Sequence, residues 1–202
     1  MTATPSLCLI LLASLGLLGV ASLTFARRLP EQLLFRPWEL ARGRRTWTVF
    51  TAAFVHADFP HLLFNAVTLW SFGLALEARI GSLRIGVLYV IGIAVSQGWT
   101  FLRHRKDPSY ATLGASGAIS AVLFAAIVYR PLDKLLIFPI PVPIPAALFA
   151  VGYLGWSWWS ERSGVGRVNH GAHLGGALAG LGFVALTDPA AVSAAAVLLG
   201  FG

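Results

Sequence analysis

The chain has 202 residues, of which 57% are hydrophobic and only 11% are charged, and its formal net charge is +7. A soluble domain usually carries about 25% charged residues, so this composition excludes an ordinary soluble globule. The apolar runs are continuous rather than alternating, which predicts membrane helices and not a β-barrel. The single cysteine, Cys8, excludes an intrachain disulfide and a thiolate metal site. The basic residues lie between apolar runs, a pattern that favours contact with lipid headgroups over binding of nucleic acid.

The first apolar run covers residues 5–26 without a charged residue, and about 20 such residues cross a bilayer as a helix. A cleavable signal peptide is the alternative interpretation. The run is long for a signal peptide and no basic residue precedes it, so a retained span is favoured. Residues 27–55 carry six arginines together with large aromatic residues, which is typical of a loop that lies at the membrane interface.

Five further spans are predicted, at residues 60–76, 85–102, 112–128, 135–158 and 171–186. The fifth opens with prolines at every second position from 139 to 145, so its entry is expected to be extended or kinked. The tail, 188–202, is apolar but too short for a seventh span. The predicted fold class is therefore an all-α membrane protein, a compact bundle of six transmembrane helices.

Four polar side chains inside these spans call for a structural or functional explanation, because burying such groups in a membrane costs free energy. They are His61 and Asn65 in the second span, Ser116 in the fourth and His173 in the sixth. His61 and Asn65 are four positions apart, which puts both on one face of a helix. A lone intramembrane serine more often bonds to its own backbone, and a lone histidine can equally be a packed polar residue or a proton relay.

Small residues lie next to Ser116 and His173 in the sequence. His173 heads a stripe of small residues at helical spacing that includes Gly176 and Gly180. Such a stripe lets another helix backbone approach closely, and the small residues from Gly114 to Ala118 offer the matching surface. Packing of the fourth span on the sixth would therefore bring the Ser116 hydroxyl within reach of the His173 ring.

That pairing is what nucleophilic catalysis requires. A serine hydroxyl is a weak nucleophile until a neighbouring base accepts its proton, a role that His173 could fill for Ser116. The tetrahedral intermediate needs donors for its oxyanion, which His61, Asn65 and the Ser116 backbone N–H could supply. No carboxylate lies inside the spans to orient His173, so a dyad is predicted rather than a triad.

Other chemistries are less favoured. A small transporter with a histidine proton path would need an acidic partner within the membrane, and the spans offer none. His56 is expected at the interface, His104 in a solvated loop and His170 at the rim of the sixth span. A metal site is not favoured, because no histidine pair has the His-Glu-x-x-His spacing of a zinc protease.

Taken together, four motifs resemble the rhomboid family of intramembrane serine proteases. Residues 54–65 contain its second-span His-x-x-x-Asn pattern with a preceding histidine, and residues 76–82 resemble the Glu and Gly turn that follows. Residues 114–117 form the Gly-x-Ser-Gly motif, and residues 172–180 contain the Ala-His with its Gly-x-x-x-Gly. The matches run in family order over about residues 45–182. Each motif is weak alone, whereas four in register are specific.

The resemblance implies a single rhomboid-like transmembrane domain over residues 1–202, with a core at about 45–186 and a short apolar tail at 188–202. Ser116 would be the nucleophile, His173 the base, and His61 with Asn65 the oxyanion group. The other motif positions are Gly114, Gly117, Glu77, Gly176 and Gly180.

The resemblance also implies the partners. Substrates would be single-span membrane proteins, cut within or near their transmembrane helix in the presence of membrane lipid and without cofactor, metal or nucleic acid. The membrane would be the prokaryotic cytoplasmic membrane, and the oligomeric state stays open. The alternative is a catalytically inactive rhomboid-like protein that binds transmembrane helices without cutting them.

Two positions depart from the family pattern. Trp47 is followed by Thr48, where members often carry an arginine. Prototype members also have an aromatic residue four positions after the nucleophile, against which the catalytic histidine stacks, and here that position is Ser120. These departures put the anchoring of the first loop and the positioning of His173 in question.

The charge distribution conflicts with the family orientation. With the amino end of the first span in the cytoplasm, eleven basic residues would lie in outer loops and only four, Arg79, Arg84, Arg130 and Lys134, in inner ones. The positive-inside rule favours the opposite orientation. A long amphipathic first loop that folds into the interface can escape a rule derived from simple loops, so the family orientation is preferred.

Overall fold

The structure is a computed structural model that describes residues 6–26, 28–137, 140–164 and 168–202. Predictions that involve Pro5, Arg27, Phe138, Pro139 and Arg167 lie outside these residues. The helices are α1 (Leu7–Thr24), α2 (Leu29–Leu33), α3 (Pro37–Leu40), α4 (Thr48–Thr51), α5 (Phe59–Thr68), α6 (Leu74–Ile80), α7 (Ser82–His104), α8 (Ser116–Tyr129), α9 (Ala146–Ser163), α10 (His170–Thr187) and α11 (Pro189–Leu198). A 3-10 turn at Ala52–Phe54 follows α4, a π-helical turn at Leu69–Gly73 joins α5 to α6, and strands β1 (Lys134–Ile137) and β2 (Ile140–Pro145) precede α9.

The second span is one continuous segment, Phe59–Ile80, and it extends four residues beyond the predicted end at 76. The charge of Glu77 marked the predicted end. Glu77 is buried, and four hydrogen bonds satisfy its carboxylate. The donors are the backbone N–H groups of Leu7 and Cys8 and the hydroxyls of Ser6 and Ser82. Glu77 therefore caps the start of α1 and ties it to the second and third spans.

Helix α8 is the central element of the bundle. Of its 14 residues, ten are buried, and it packs against α7 and α10. A Cβ at Gly176 would overlap the carbonyl oxygen of Gly117, and one at Gly180 would overlap that of Ala121. The backbones of α8 and α10 thus touch along the stripe of small residues, which is the contact that the sequence predicts.

The predicted start of the fourth span at residue 112 is wrong by four positions. Thr112 instead pairs with Phe35 in an isolated antiparallel bridge, and the Gly114 N–H donates to the Ala52 carbonyl. Gly114 has a φ of 108°, which excludes it from a helix. The segment before Ser116 is therefore a loop held by the interfacial residues between α1 and α5.

The fifth span also begins later than predicted. Strands β1 and β2 pair in antiparallel fashion, and α9 starts only at Ala146. The prediction of an extended entry is confirmed, whereas the predicted start at residue 135 is wrong. These two strands are the exception that the described residues make to an all-α fold.

Among the described residues, three segments meet the length and composition of a membrane span by themselves: α1, the continuous segment Phe59–Ile80 and α7. The pair α10 and α11 meets them only when the two helices are taken together, and they are bent by 109°. Asp188 lies at the bend, where its side chain accepts a hydrogen bond from the Ala191 N–H at the start of α11. The chain is a mostly helical membrane protein in which the predicted tail forms a short helix of its own.

Candidate active site

Ser116 and His173 meet where α8 and α10 begin. Ser116 is the first residue of α8, and His173 lies in the first turn of α10. The distance between Ser116 Oγ and His173 Nε2 is 2.8 Å, which is a hydrogen-bond distance. The close contact of the two helix backbones explains this short distance, because larger residues at Gly176 or Gly180 would push the helices apart. The catalytic roles of the two side chains remain predictions.

Asn169 fixes the start of α10, and the sequence analysis did not identify it. Its side-chain oxygen accepts the Ala172 N–H at 2.9 Å, which caps the helix. Its Nδ2 donates to Thr100 Oγ1 of α7 at 2.9 Å and lies 3.4 Å from Thr112 Oγ1. Asn169 thereby links the histidine helix both to α7 and to the loop that leads to Ser116. An asparagine directly before a helical run was the available signal.

His61 and Asn65 approach the same place from α5. The Asp58 carboxylate accepts the His61 N–H at 2.8 Å and caps this helix. The His61 ring lies directly over Gly114, where an added Cβ would be 2.7 Å from its Nε2. Only a glycine leaves room for the ring there, and its positive φ also favours glycine. The predicted Gly-x-Ser-Gly motif thus begins with a residue that allows His61 to approach.

The Asn65 side chain has an unused donor. Asn65 is buried, and its Nδ2 has no hydrogen-bond partner among the residues that the structure describes. A buried polar atom without a partner costs free energy, so such an atom calls for an explanation. A bound oxygen atom in the adjoining cavity would satisfy it.

A cavity of about 770 Å³ connects these side chains. This volume is in the range of ligand sites in proteins. Its wall includes His61, Asn65, Ser96, Gln97, Ser116 and His173. The structure therefore brings all four polar residues predicted from the spans to a single cavity.

The remaining motif residues have packing roles. Gly117 faces the Ser96 side chain of α7, which would collide with a Cβ. Glu77 caps α1 and does not line the cavity, so it does not orient His173. Within the described ranges, no three His, Cys, Asp or Glu side chains lie close enough to hold a metal ion together.

His56 lies behind the cavity in the connection before α5. Its ring contacts the His61 ring edge-on, with centroids 5.0 Å apart and planes at 80°. His56 is 1% exposed, and burial lowers the pKa of its imidazole to about 4. The ring is therefore neutral at neutral pH and supports His61 without adding a charge.

Comparison with known proteins decides the family. The family model described as "Rhomboid domain" matches residues 43–189, which contain every residue of the site. The chain belongs to the rhomboid family. Rhomboid protein 1, mitochondrial, from Saccharomyces cerevisiae is 32% identical over 138 residues, which are 66% of this chain and 40% of that protein.

Two further relatives are similar. RHOMBOID-like protein 6, mitochondrial, from Arabidopsis thaliana is 31% identical over 171 residues, 79% of this chain and 50% of that protein. A rhomboid protein of Bacillus subtilis is 36% identical over 73 residues, 36% of either chain. This rhomboid chain spans about half the length or less of the curated relatives it matches.

Proposed function

We propose that this rhomboid is an intramembrane serine endopeptidase that cleaves single-span membrane proteins within or near their transmembrane helix. The observation that carries the proposal is the 2.8 Å distance between Ser116 Oγ and His173 Nε2 at the wall of a polar cavity. A hydroxyl and an imidazole in a membrane domain are costly unless they have a function. Their hydrogen bond is the geometry in which a serine is activated.

In the proposed reaction, His173 accepts the Ser116 proton at Nε2 while Oγ bonds to the carbonyl carbon of the substrate. His173 then gives the proton to the amine as the C–N bond breaks, which leaves the acyl group on Oγ. Water next loses a proton to His173 and bonds to the acyl carbon, and His173 returns the proton to Ser116 as the C–Oγ bond breaks. The dyad thus acts first as a base and then as an acid.

The oxyanion of the tetrahedral intermediate would be held by three kinds of donor. The backbone N–H of Ser116 begins α8, and such groups have no partner within their own helix. The positive end of the helix dipole lies at the same point. Asn65 Nδ2 supplies a buried donor without a partner among the described residues, and His61 lies beside Gly114. Donors that are already in place stabilise developing charge without reorganisation.

The length of α8 supports cleavage below the membrane surface. Its 14 residues correspond to roughly 21 Å at 1.5 Å per residue. The hydrocarbon core is about 30 Å thick, so with Tyr129 at the opposite boundary Ser116 would lie several ångströms inside it. A substrate helix must unwind to expose its carbonyl there, and small or helix-breaking residues near the cut should favour this.

The proposal keeps six spans. In addition to the three segments that pass by length and composition, α8, α9 and α10 would be spans. Helix α8 is short but almost wholly surrounded by protein, so it need not match the lipid thickness. Helix α9 has 18 residues, and Glu161 and Arg162 in its last turn lower its mean hydropathy, together with its tryptophans and serines.

The relatives come from more than one kind of membrane. The yeast and Arabidopsis relatives are named as mitochondrial, and another relative is from Bacillus subtilis. The prokaryotic cytoplasmic membrane therefore stays a prediction that the relatives do not single out. The partners proposed are membrane lipid and transmembrane-helix substrates.

A fluorophosphonate probe tests the proposal, because it reacts with activated serines. We expect the detergent-purified protein to be labelled, and labelling to be lost in both Ser116→Ala and His173→Ala. Circular dichroism and gel filtration of each variant show whether the fold is intact. Folded wild type that stays unlabelled would contradict the proposal and favour the inactive protein that binds transmembrane helices.

A further inference from the structure

We infer that Tyr153 of α9 is the positioning residue for His173, an inference that rests on the proposed function. The two rings stack with their centroids 6.1 Å apart and their planes at 20°. The phenol oxygen lies 3.3 Å from Ser120 Oγ on α8, one turn after Ser116. The Tyr153 ring therefore contacts the base of the dyad and, through its hydroxyl, the helix of the nucleophile.

Ser120 makes room for this arrangement. It is the position at which prototype family members carry the aromatic residue that stacks on the histidine. Ser120 is buried, and its small side chain leaves space that the Tyr153 ring occupies from a neighbouring helix. The ring thus reaches His173 from α9 instead of from α8.

Other aromatic side chains hold the Tyr153 ring in place. Phe124 of α8 lies 5.6 Å from it at 51°, and Phe149 of α9 lies 5.5 Å from it at 39°. These are common separations for tilted aromatic pairs. Two aromatic neighbours therefore hold the ring, and it can in turn limit the rotation of the imidazole. Removal of the ring would let His173 adopt rotamers in which Nε2 no longer meets Ser116 Oγ.

The first test compares the rate of fluorophosphonate labelling in four proteins. We expect Tyr153→Leu to lower the rate roughly 10- to 100-fold, as misplacement of a catalytic group does. Tyr153→Phe keeps the ring and loses one neutral hydrogen bond, so its rate should fall less than about fivefold. Trp156→Leu is the matched control, since Trp156 lies on the same helix but is 58% exposed. With a transmembrane model substrate, Tyr153→Leu should lower kcat and leave KM nearly unchanged.

The second test moves the ring back to α8. The double variant S120F/Y153L supplies an aromatic side chain from position 120. We expect it to be labelled at least about tenfold faster than Tyr153→Leu. Circular dichroism and gel filtration exclude unfolding as the cause. A folded Tyr153→Leu that labels at the wild-type rate would overturn the inference. So would a Tyr153→Phe variant as slow as Tyr153→Leu, because the hydroxyl and not the ring would then matter.

A measurement that does not depend on activity tests the stacking of Tyr153 on His173 separately from the protease function. In histidine-labelled protein, the NMR signals of the His173 ring should carry a ring-current shift that Tyr153→Leu removes and Tyr153→Phe retains. Absence of that shift in the wild type would contradict the stacking. Wild type that shows the shift but no labelling would instead contradict the protease function.

Discussion

Asn169 joins three parts of the site, and its backbone carbonyl also accepts the His173 N–H at 3.3 Å. Its oxygen caps α10, and its Nδ2 donates to Thr100 and approaches Thr112. The two functions can be separated, because aspartate can accept the Ala172 N–H but cannot donate to either threonine. Asn169 therefore controls both where the histidine helix starts and how it is placed against the loop before Ser116.

For Asn169→Ala we expect a loss of about 1–3 kcal/mol in the free energy of unfolding, from the lost cap and the lost donors. Asn169→Asp should keep the cap and lose the link, so it should label more slowly with fluorophosphonate than wild type. Thermal unfolding in detergent and labelling rates measure the two effects. A fully active, fully stable Asn169→Asp variant would show that the threonine contacts do not position the helix.

His56 makes the stability of the protein sensitive to acid. Burial lowers the pKa of its folded-state imidazole to about 4, whereas an unfolded histidine titrates near 6.5. The unfolded state therefore binds the proton first as the pH falls below 6.5. The stability contributed by the neutral ring is complete above pH 6.5 and declines as the pH falls towards 4.

We expect wild type to lose up to roughly 3 kcal/mol more than His56→Gln on going from pH 7.5 to pH 4. Unfolding in detergent at both pH values measures the difference, and the variant cancels the contribution of every other titrating group. Equal losses in the two proteins would mean that His56 is protonated in the folded state, in contact with water.

The sequence predicted His61, Asn65, Ser116 and His173 because polar residues within apolar spans are conspicuous and their spacing is local. Tyr153 and Asn169 could not be found in the same way. A tyrosine in an aromatic-rich span looks like membrane-belt material, and its stacking on His173 depends on how α9 packs against α8 and α10. Contacts between helices that are distant in sequence leave no periodic signal.

At the scale of the elements, the contact between α8 and α10 sets the geometry of the dyad. Gly176→Ala would press a methyl group onto the Gly117 carbonyl oxygen, one residue after the nucleophile. Gly182 lies on the same helix with no atom within 4 Å of an added Cβ, which makes it the matched control.

We expect Gly176→Ala to destabilise the protein by about 1–3 kcal/mol through overpacking and to lower the labelling rate. Gly182→Ala should be neutral or slightly stabilising, because alanine favours helix over glycine. Thermal unfolding and labelling of both variants test this. Equal behaviour of the two would show that α10 can shift without disturbing Ser116 and His173.

The element boundaries that were predicted wrongly share a physical cause. Residues 112–115 carry no charge, yet they pair with the interfacial segment through Thr112 and Gly114. Strand β2 before α9 is as apolar as a span, but its alternating prolines remove helix donors. Hydropathy reports burial in lipid or protein and does not distinguish a helix from an extended segment, so the ends of these spans needed tertiary contacts to define them.

At the scale of the whole molecule, the contacts of the arginines bear on the conflict between the charge count and the family orientation. Arg36 pairs with Glu31, Arg45 with Glu39 and Arg103 with Glu161. Others stack on tryptophan rings, as Arg42 does on Trp38 and Arg162 on Trp158. The arginines of the first loop thus belong to a folded interfacial segment, whereas the positive-inside rule describes simple loops.

We expect the loop with Lys106 to face the outer side and Lys134 to face the cytoplasmic side. The chain has one cysteine, Cys8, which is buried, so Cys8→Ala provides a background free of thiols. In that background, an impermeant maleimide should label Lys106→Cys but not Lys134→Cys in right-side-out vesicles, since both positions are exposed. The reverse pattern would establish the orientation that the charge count favours.

The π-helical turn at Leu69–Gly73 sets the rotational phase of the second span. An α-helix turns by about 100° per residue, and a π turn accommodates one extra residue within the same rise. On one side of it Asn65 faces the cavity, and on the other Glu77 faces the start of α1. In an uninterrupted α-helix one of these two side chains would be turned away by more than a quarter of a revolution. The irregular turn therefore lets a single span serve both as a wall of the site and as the anchor of its neighbour.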